Sequence, residues 1–549
     1  MATYSAYSQA WLEDNSSIRT LFVVITPLYD SSGLGSSYTP SPQYFSTDGM
    51  MTTDGLIYFN PVIKSDITLS ESISSDGNVS MSFGDISILN LNGELDAYLD
   101  PLKYIWANQQ IQVYLGDATW PATSSDFTVS TSKYKLIFNG ILEDIDSKSR
   151  NELNFKMRDK LEYLNNPVTE NKLGVYGNWV NSAQNADTIK PLVFGEVFNM
   201  SPLLIDPNNG GGQYMVNDGA VQQVIEIRDN GVPIYQNGST VYTGATVDEA
   251  NGKFILTYPP SGAITCSIQG IKNTINLSTG ALVTGTYSNT IAKLIALMVT
   301  QYGPPNSRLT ASDIDLANFS AFDTANPQPV GLLITDRVNI LDAARQLASS
   351  VGAQISLSRE GKLRFIKFGV GITPAQDPLI TIGTTTDAPV TLTDMAFDSI
   401  NISNKLTPQA ALSLGYCRNW TVQDSLLTSL PADHKDLYAS EWLTVTNTAS
   451  ATIITNYKLT IDPIQKDTCL LVQSDASAEA ARLVTYYSVP RYVYRFTGIP
   501  RLLSLRLGQQ VYLSHYRFNL YNSGFGKVGQ VITLNPNWSK ATVDVEVIV

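Results

Sequence analysis

The chain has 549 residues, 43% of them hydrophobic, and a formal net charge of −13. One hydrophobic core stops growing near ~250–300 residues, so three or four domains are expected and a disordered chain is excluded. The acidic balance opposes phosphate backbones and anionic membranes, and no basic stripe offsets it.

Charged residues make up only 15% of the chain, below the usual ~25%. Ser, Thr, Asn, Gln and Tyr must supply the polar surface, which suits protein–protein packing, where buried charge is costly. Cys266, Cys417 and Cys469 lie far apart without a Cys-x-x-Cys pair. They read as isolated buried thiols, not as a disulfide framework or a tetrahedral metal site. The opening segment MATYSAYSQAWLEDNSS lacks a basic stretch followed by an apolar core, so it does not read as a signal peptide. The apolar runs at 21–25 and 294–299 fall far short of the ~20 residues of a membrane-spanning helix.

In chain order, residues 19–29, RTLFVVITPLY, read as a buried strand. The Ser/Gly/Pro-rich stretch at 31–55 reads as an exposed loop or arm. Dense β pattern follows from 56 to 164. Within residues 78–93, Val79, Met81 and Phe83 share a face, while Ile86 and Ile88 fall in the opposite phase. That shift predicts a bulge or turn at Gly84–Asp85. Strands are expected at 109–117 and at 134–146, with a bend at Gly140. Residues 152–168 begin as a strand and end in a helical turn. Closing these strands into a small barrel would remove exposed edges.

A loop over 165–190 leads to a short apolar strand after Pro191 and a turn at 206–212. That turn lacks the Lys-Ser/Thr of a phosphate loop. Hairpins are predicted in VQQVIEIRDNGVPIY, turning at Asn230–Gly231, and over 252–270. Ile291, Leu294, Ile295 and Met298 carry helical spacing within 288–301. A second helix is predicted over 340–350 with Asn339 as N-cap, and a weaker one near 477–487. A further hairpin turns at Glu360–Gly361. Residues 371–549 are β again, ending in a hairpin with Val543, Val545 and Val547 on one side and Asp544 and Glu546 on the other.

Little of this chemistry suits a catalyst. Glu143, Asp144 and Asp146 form the best acidic cluster, with Asp144 and Asp146 on one strand face. Two carboxylates ~5–10 Å apart can hydrolyse glycosides, but a solvated strand edge or a salt contact to another protein needs less. Asp313 and Asp315 read as turn or helix caps. His434 reads as exposed. His515 follows Ser514, but adjacent strand residues face opposite ways. No GxSxG, HExxH or Walker sequence occurs. No catalytic residue, metal or cofactor is therefore assigned. The aromatic runs at 486–496 and 511–521 hold Arg491, Tyr492, Tyr494, Arg495 and Arg517. Tyr and Arg are favoured at protein interfaces. These five residues, with Glu143, Asp144 and Asp146, are the candidate interface set. Stacking of glycans on the tyrosines is the alternative use of these runs.

Several stretches in order resemble one family. They are ILNLNGELDAYLDPLKYIWANQQIQVYLGD through LIFNGILEDID, KPLVFGEVFNMSPLLID with YMVNDGAVQQVIEIRDNGVPI, NILDAARQLASSVGAQISLSREGKLRFIKF, LGYCRNWTVQD, and EAARLVTYYSVPRYVYRF with LRLGQQVYL. Together they look like a baseplate hub, or tail-tip hub, of long non-contractile-tailed bacteriophages, a group related to the hubs of contractile tails and of gene transfer agents. The resemblance implies a mainly β, multidomain chain with small α+β insertions. Two tube-like β-barrel domains would flank intermediate hub domains. The matching spans, which need not each be a continuous domain, are 1–170 (N-terminal, tube-like), 171–285 (β-rich hub), 286–370 (α+β hub) and 371–549 (C-terminal, tube-like). The resemblance further implies a structural virion protein at the tail tip, a homotrimer whose two tube-like domains per copy present a pseudo-sixfold ring. That ring would meet the hexameric tail tube or distal tail protein, with a central fibre or spike below and the tape measure protein as a further partner. DNA would pass through without specific binding, and no stable membrane insertion is implied. No peptidoglycan-cleaving module or iron–sulfur cysteine set is read in these residues, and a long fibre region is not expected of this chain. Receptor binding is expected to be delegated to another protein.

Overall fold

The computed structural model describes residues 8, 11, 12, 14, 16–64, 67, 69–73, 79–127, 133–174, 186–237, 244–367, 395, 396, 398–424, 426, 430–521 and 526–549. The fold is mainly β and multidomain, with several sheets and few helices. Residues 371–394, where the expected last β region begins, lie outside the described residues, as does 175–185 of the loop expected at 165–190.

The chain forms two compact units, each drawn from separated segments. One takes Met1–Glu162, Ser356–Leu406 and Arg491–Val549; the other takes Tyr163–Ile355 and Thr407–Pro490. The four consecutive spans read from the sequence are thus interleaved. The first and last β regions fold together, and 407–490 belongs with the middle of the chain.

The first unit holds two large antiparallel sheets. One runs Gln43–Ser46, Thr20–Ile25, Gln110–Gly116, Lys135–Ser149, Glu152–Arg158, Ile86–Leu89. Thr20–Ile25 is buried along its whole length, as its run of apolar residues requires for a central strand. The sheet's outer strands are tied to one connecting segment: Asn60 bridges Phe45, and Ile63 bridges Ile88. This short ladder carries the sheet round toward the expected barrel closure and covers edges that would otherwise be open. No bend breaks the strand at Gly140. That residue stays in register opposite Ile111, and a Cβ there would lie 2.5 Å from the Arg158 carbonyl oxygen. Glycine is present because two backbones approach closely. The irregularities sit instead between Val113 and Tyr114 and between Leu142 and Asp144.

The second sheet runs Asn401–Leu406, Arg491–Gly498, Thr542–Ile548, Lys527–Asn537, Leu69–Ile73, Val79–Phe83, with Gln510–Leu513 also on Lys527–Asn537. The phase shift at Gly84–Asp85 is therefore a change of sheet. Val79–Phe83 belongs to the second sheet, and Ile86–Leu89 to the first. The terminal hairpin alternates as expected, with Val543, Val545 and Val547 buried and Asp544 and Glu546 half-buried. One continuous core joins both sheets, from Phe22, Phe59 and Tyr134 to Val531, Trp538 and Val547. Its aromatic centre packs Phe59 on Phe127 at 4.6 Å and Phe127 on Tyr134 at 4.7 Å, separations at which ring pairs attract.

In the second unit, a five-stranded sheet runs Val232–Gln236, Val221–Asp229, Ile264–Ile271, Leu192–Met200, Gly331–Ile334. A four-stranded sheet runs Leu203–Asp206, Gln213–Met215, Lys253–Leu256, Ala245–Asp248. The hairpin at Asn230–Gly231 forms, with both residues at positive φ (50° and 84°), as tight hairpin turns demand. The one expected over 252–270 does not. Lys253–Leu256 pairs with Gln213–Met215 and Ala245–Asp248, while Ile264–Ile271 joins the other sheet. Gly195 and Gly331 face each other where Leu192–Met200 meets Gly331–Ile334. A Cβ on Gly331 would fall 1.6 Å from the Glu196 carbonyl oxygen.

Helices form at Ile291–Gln301, Ile340–Ser349 and Gln473–Tyr487, close to the expected spans. Ile291–Gln301 is buried on nearly all sides, not along one stripe. Asn339 is the N-cap residue of Ile340–Ser349 but makes no side-chain capping bond. Three further helices, Leu316–Ala325, Ala432–Ala439 and Ala451–Tyr457, escape the periodicity. Asp315 caps the first of these through the Asn318 amide, and Asp313 closes a capping box with Thr310. Gln473–Tyr487 packs its Ala480 and Leu483 on Leu414 of a three-stranded sheet ordered Leu443–Thr448, Ala411–Tyr416, Gln465–Asp467.

Candidate interaction surfaces

The structure divides the candidate interface set between the two sheets of the first unit. Glu143, Asp144 and Asp146 sit on Lys135–Ser149, opposite Glu152–Arg158. The register skips between Leu142 and Asp144, so Glu143 occupies a bulge and is turned outward to solvent. Glu143 pairs with Arg158 at 2.7 Å, and Asp146 with Lys156 at 2.9 Å. The Asp144 carboxylate accepts only the Ile145 amide, at 2.8 Å, among the bonds seen. The pairs are exposed and worth little to stability, about 0–1 kcal/mol each. What they provide is a ridge of alternating charge.

The second group surrounds Tyr494. Arg491–Gly498 pairs with Asn401–Leu406 on one side and Thr542–Ile548 on the other. Alternation along the strand sends Tyr494 and Phe496 into the core and leaves Arg495 outside. Tyr494 is 4% exposed and packs on Phe518 at 5.6 Å, and burial raises its phenol pKa. A sugar reaches that ring only by displacing core contacts. Tyr492 lies half-buried beneath the Lys405 ammonium, 5.4 Å from its ring centre. Arg495 pairs with Asp544 at 3.5 Å, and Arg517 with Asp398 at 3.1 Å. Tyr494, Phe518 and Arg517 thus meet although they are distant in sequence, while Arg491 stands half-buried at the strand's start.

Between the two sheets, the turn Ser358–Gly361 acts as a charged clasp. Arg359 pairs with Glu71 at 2.9 Å, each side chain 10% exposed. It also donates to the Leu503 carbonyl at 2.8 Å and lies over Trp538 at 5.3 Å. Glu360 takes Arg506 at 3.0 Å, and its carbonyl accepts from Asn139. Burial pushes the Glu360 carboxyl up, but Arg506, its own backbone amide and Lys135 outweigh that and hold it below its ordinary value. Lys135 is itself lowered, by burial first and then by Arg506 and Arg359 against the raising effect of Glu360. Arg506 is therefore the nearer cation to Glu360, and Lys135, at 3.9 Å, is a second and weaker one. Gly361 has φ 73° with its Cβ position against Asn139, which only glycine tolerates.

One cluster in the second unit went unread in the sequence. Arg418 is stacked between Trp420, at 4.1 Å, and Trp442, at 5.3 Å, and pairs with Glu441 at 3.0 Å. The register Tyr416↔Leu443 brings these residues together. The signal was two tryptophans beside an arginine and a glutamate, but they are far apart in the chain.

Among the described residues, no group of three or more His, Cys, Asp or Glu is placed to hold a metal ion, and no helix is long and apolar enough to cross a membrane. His515 is buried, and its Nδ1 accepts the Arg517 amide at 3.1 Å. Burial, then Arg517, lowers its pKa, so it stays neutral with one ring nitrogen occupied.

No family model matches the chain, and no curated protein matches its sequence. Among solved structures it is similar to the tail protein from Neisseria meningitidis MC58, at 8% identity and a TM-score of 0.34, covering 97% of this chain and 96% of that one. It is similar to the prophage MuSo2 43 kDa tail protein from Shewanella oneidensis, at 8% identity and a TM-score of 0.35, with the same coverage of both chains. A chain from the virion of a native gene transfer agent particle matches at 12% identity and a TM-score of 0.40, over 70% of this chain and 90% of that one.

Proposed function

We propose that this chain is the baseplate or tail-tip hub of a long non-contractile-tailed bacteriophage, a structural virion protein without catalysis. The observation that carries the reading is the pairing of the first and last β regions in one compact unit, as two large antiparallel sheets on one core. Each copy then offers two sheets, so three copies offer six. A homotrimer of that kind fits a hexameric tail tube or distal tail protein above while keeping threefold symmetry for a central fibre or spike below. The tape measure protein would end against the same ring.

In this reading the first unit builds the ring and the second unit is assigned the gate. DNA passage asks for a wall that does not grip phosphate. On the solvent side of the second sheet, Arg495 is paired with Asp544, and Glu546 accepts from Thr533. These pairings engage charge on this face and leave phosphates less to bind. The exposed ridge of Glu143, Asp144 and Asp146, and the surface arginines Arg491, Arg495 and Arg517, are the proposed contacts to neighbouring tail proteins. Burial of Tyr494 weighs against the glycan-binding alternative.

Cryo-electron microscopy of the particle that carries the chain tests this reading. Three copies closing the axis beneath the tube, with both sheets of each copy in one ring, are the expected result. Peripheral copies pointing outward would replace the hub with a fibre or receptor-binding protein.

A further inference from the structure

We propose that the turn 514–521 of the first unit is an acid-sensitive latch: a second proton on the His515 ring turns the hydrogen bond that folds the turn into a repulsion, and the surface carrying Tyr516 and Arg517 changes shape. The proposal concerns the chain itself and stands apart from the hub reading.

The ring is built into the turn as an acceptor. His515 follows the strand Gln510–Leu513, is 3% exposed, and accepts the Arg517 amide on Nδ1 at 3.1 Å. An accepting Nδ1 places the single proton of the neutral ring on Nε2. The next proton can only go to Nδ1, the atom at which the Arg517 N–H already points. Two donors then face each other, so the bond is lost when the ring becomes charged. The Tyr516 ring stacks on the imidazole at 4.5 Å. Among the described residues, charge reaches the ring from Arg517 on the same turn and from Asp398, which precedes the strand Asn401–Leu406. Burial first, and Arg517 second, oppose the imidazolium, while Asp398 favours it.

The turn has reason to move once that bond goes. Phe518 and Asn519 stand side by side in the left-handed region, at φ 60° and 57°. A bulky residue such as Phe is an outlier there and persists only where its surroundings hold it. The Phe518 ring packs on Tyr494 at 5.6 Å, with the Arg517 guanidinium 4.8 Å from its centre. Arg517 reaches Asp398 at 3.1 Å, and its carbonyl accepts the Leu520 amide at 3.3 Å. Arg517 therefore holds a different partner with its amide, its side chain and its carbonyl, and the His515 bond is the one that fixes the entry to the strained pair. Tyr516 is 68% exposed and Tyr521 58%, so a change in this turn is read at the surface.

The direction of the response follows from linkage. A ring kept neutral by its fold contributes stability that is complete above the unfolded value of ~6.5. That stability is lost as pH falls toward the lowered folded value. The latch is closed at neutral pH and opens in mild acid.

Hydrogen exchange on the full-length chain, corrected for the intrinsic pH dependence of exchange, tests the latch. Segment 511–521 is the reporter and the strand Thr542–Ile548 the internal reference. Between about pH 7 and about pH 5, protection of the reporter should fall by about tenfold or more relative to the reference. His515→Asn offers an amide oxygen where Nδ1 stood but carries no titrating proton, so it should stay protected at both pH values. Two surface variants keep the ring and should move the midpoint in opposite directions. Arg517→Gln removes the charge that opposes the imidazolium and should raise it; Asp398→Asn removes the charge that favours it and should lower it. Both side chains are exposed, at 45% and 65%, so these variants remain informative if His515→Asn folds poorly. A wild-type reporter equally protected at both pH values, an equal fall in His515→Asn, or midpoints that the two charge variants do not separate would each overturn the latch.

Discussion

Replacing Arg359 with methionine leaves the Glu71 carboxylate buried without its cation. The two side chains are 2.9 Å apart and each 10% exposed. At that separation two unit charges attract by roughly 6 kcal/mol at an effective dielectric of about 20, and desolvation cancels most of it. The net worth of the pair is therefore small, but breaking it from one side costs roughly 3–5 kcal/mol, because the survivor stays desolvated. Methionine also gives up the bond to the Leu503 carbonyl and the contact over Trp538, the latter worth about 0.5–2 kcal/mol. Arg359→Met should lower the urea midpoint of the first unit by about 1 M or more, for a slope near 3 kcal/mol per molar. Tryptophan emission and circular dichroism should report the same transition. Adding Glu71→Gln to Arg359→Met removes the stranded charge and should recover about half the loss or more, giving a coupling of roughly 2–3 kcal/mol. A single variant costing under about 1 kcal/mol, or a double no better than the single, would refute the clasp.

Three further outcomes follow from the geometry. Gly331→Ala forces a Cβ to 1.6 Å from the Glu196 carbonyl oxygen; the strand Gly331–Ile334 should detach, and limited proteolysis of the second unit should speed up while the first unit stays resistant. Tyr114 is buried, donates to the Phe127 carbonyl at 3.0 Å, and has its phenol pushed up to about 12 by burial; a raised folded pKa favours the protonated form, so its stability is full below pH ~10 and is lost as pH rises toward ~12. Alkaline melts should show that decline, and Tyr114→Phe should make it shallower by one phenol's share, since burial also raises Tyr98 and Tyr134 in the same unit. Asn199, at φ 51°, donates to Asn419 Oδ1 and to the Thr421 carbonyl, both at 2.8 Å; Asn199→Ala removes both bonds, though Asn419 Oδ1 keeps the Thr421 amide, and puts a residue without a local polar partner in the left-handed region, so thermal unfolding of the second unit should come earlier by about 1–2 kcal/mol in stability.

Local pattern carried the strands because a period of two needs only neighbours, as Val543, Val545 and Val547 demonstrate. It could not carry their partners, because pairing is non-local. The phase break at Gly84–Asp85 was legible as a break, but its meaning was a change of sheet. The Pro-Pro-Ser-Gly turn after Tyr258 looked like the loop of a hairpin, yet the strands on either side belong to different sheets. Helix Leu316–Ala325 was hidden because its body mixes Asn, Ser and Thr with apolar residues; its start was legible in Asp315. The candidate surfaces divide the same way. Glu143, Asp144 and Asp146 were visible as a cluster because adjacent residues stay adjacent on a strand. The clasp of Glu71, Arg359, Glu360 and Arg506, and the stack of Trp420, Arg418 and Trp442, exist only after distant segments pair. In a chain whose first and last β regions share one core, the sites that join or dock are made by the topology itself, so sequence clusters point to its strand edges and long-range registers point to its joints.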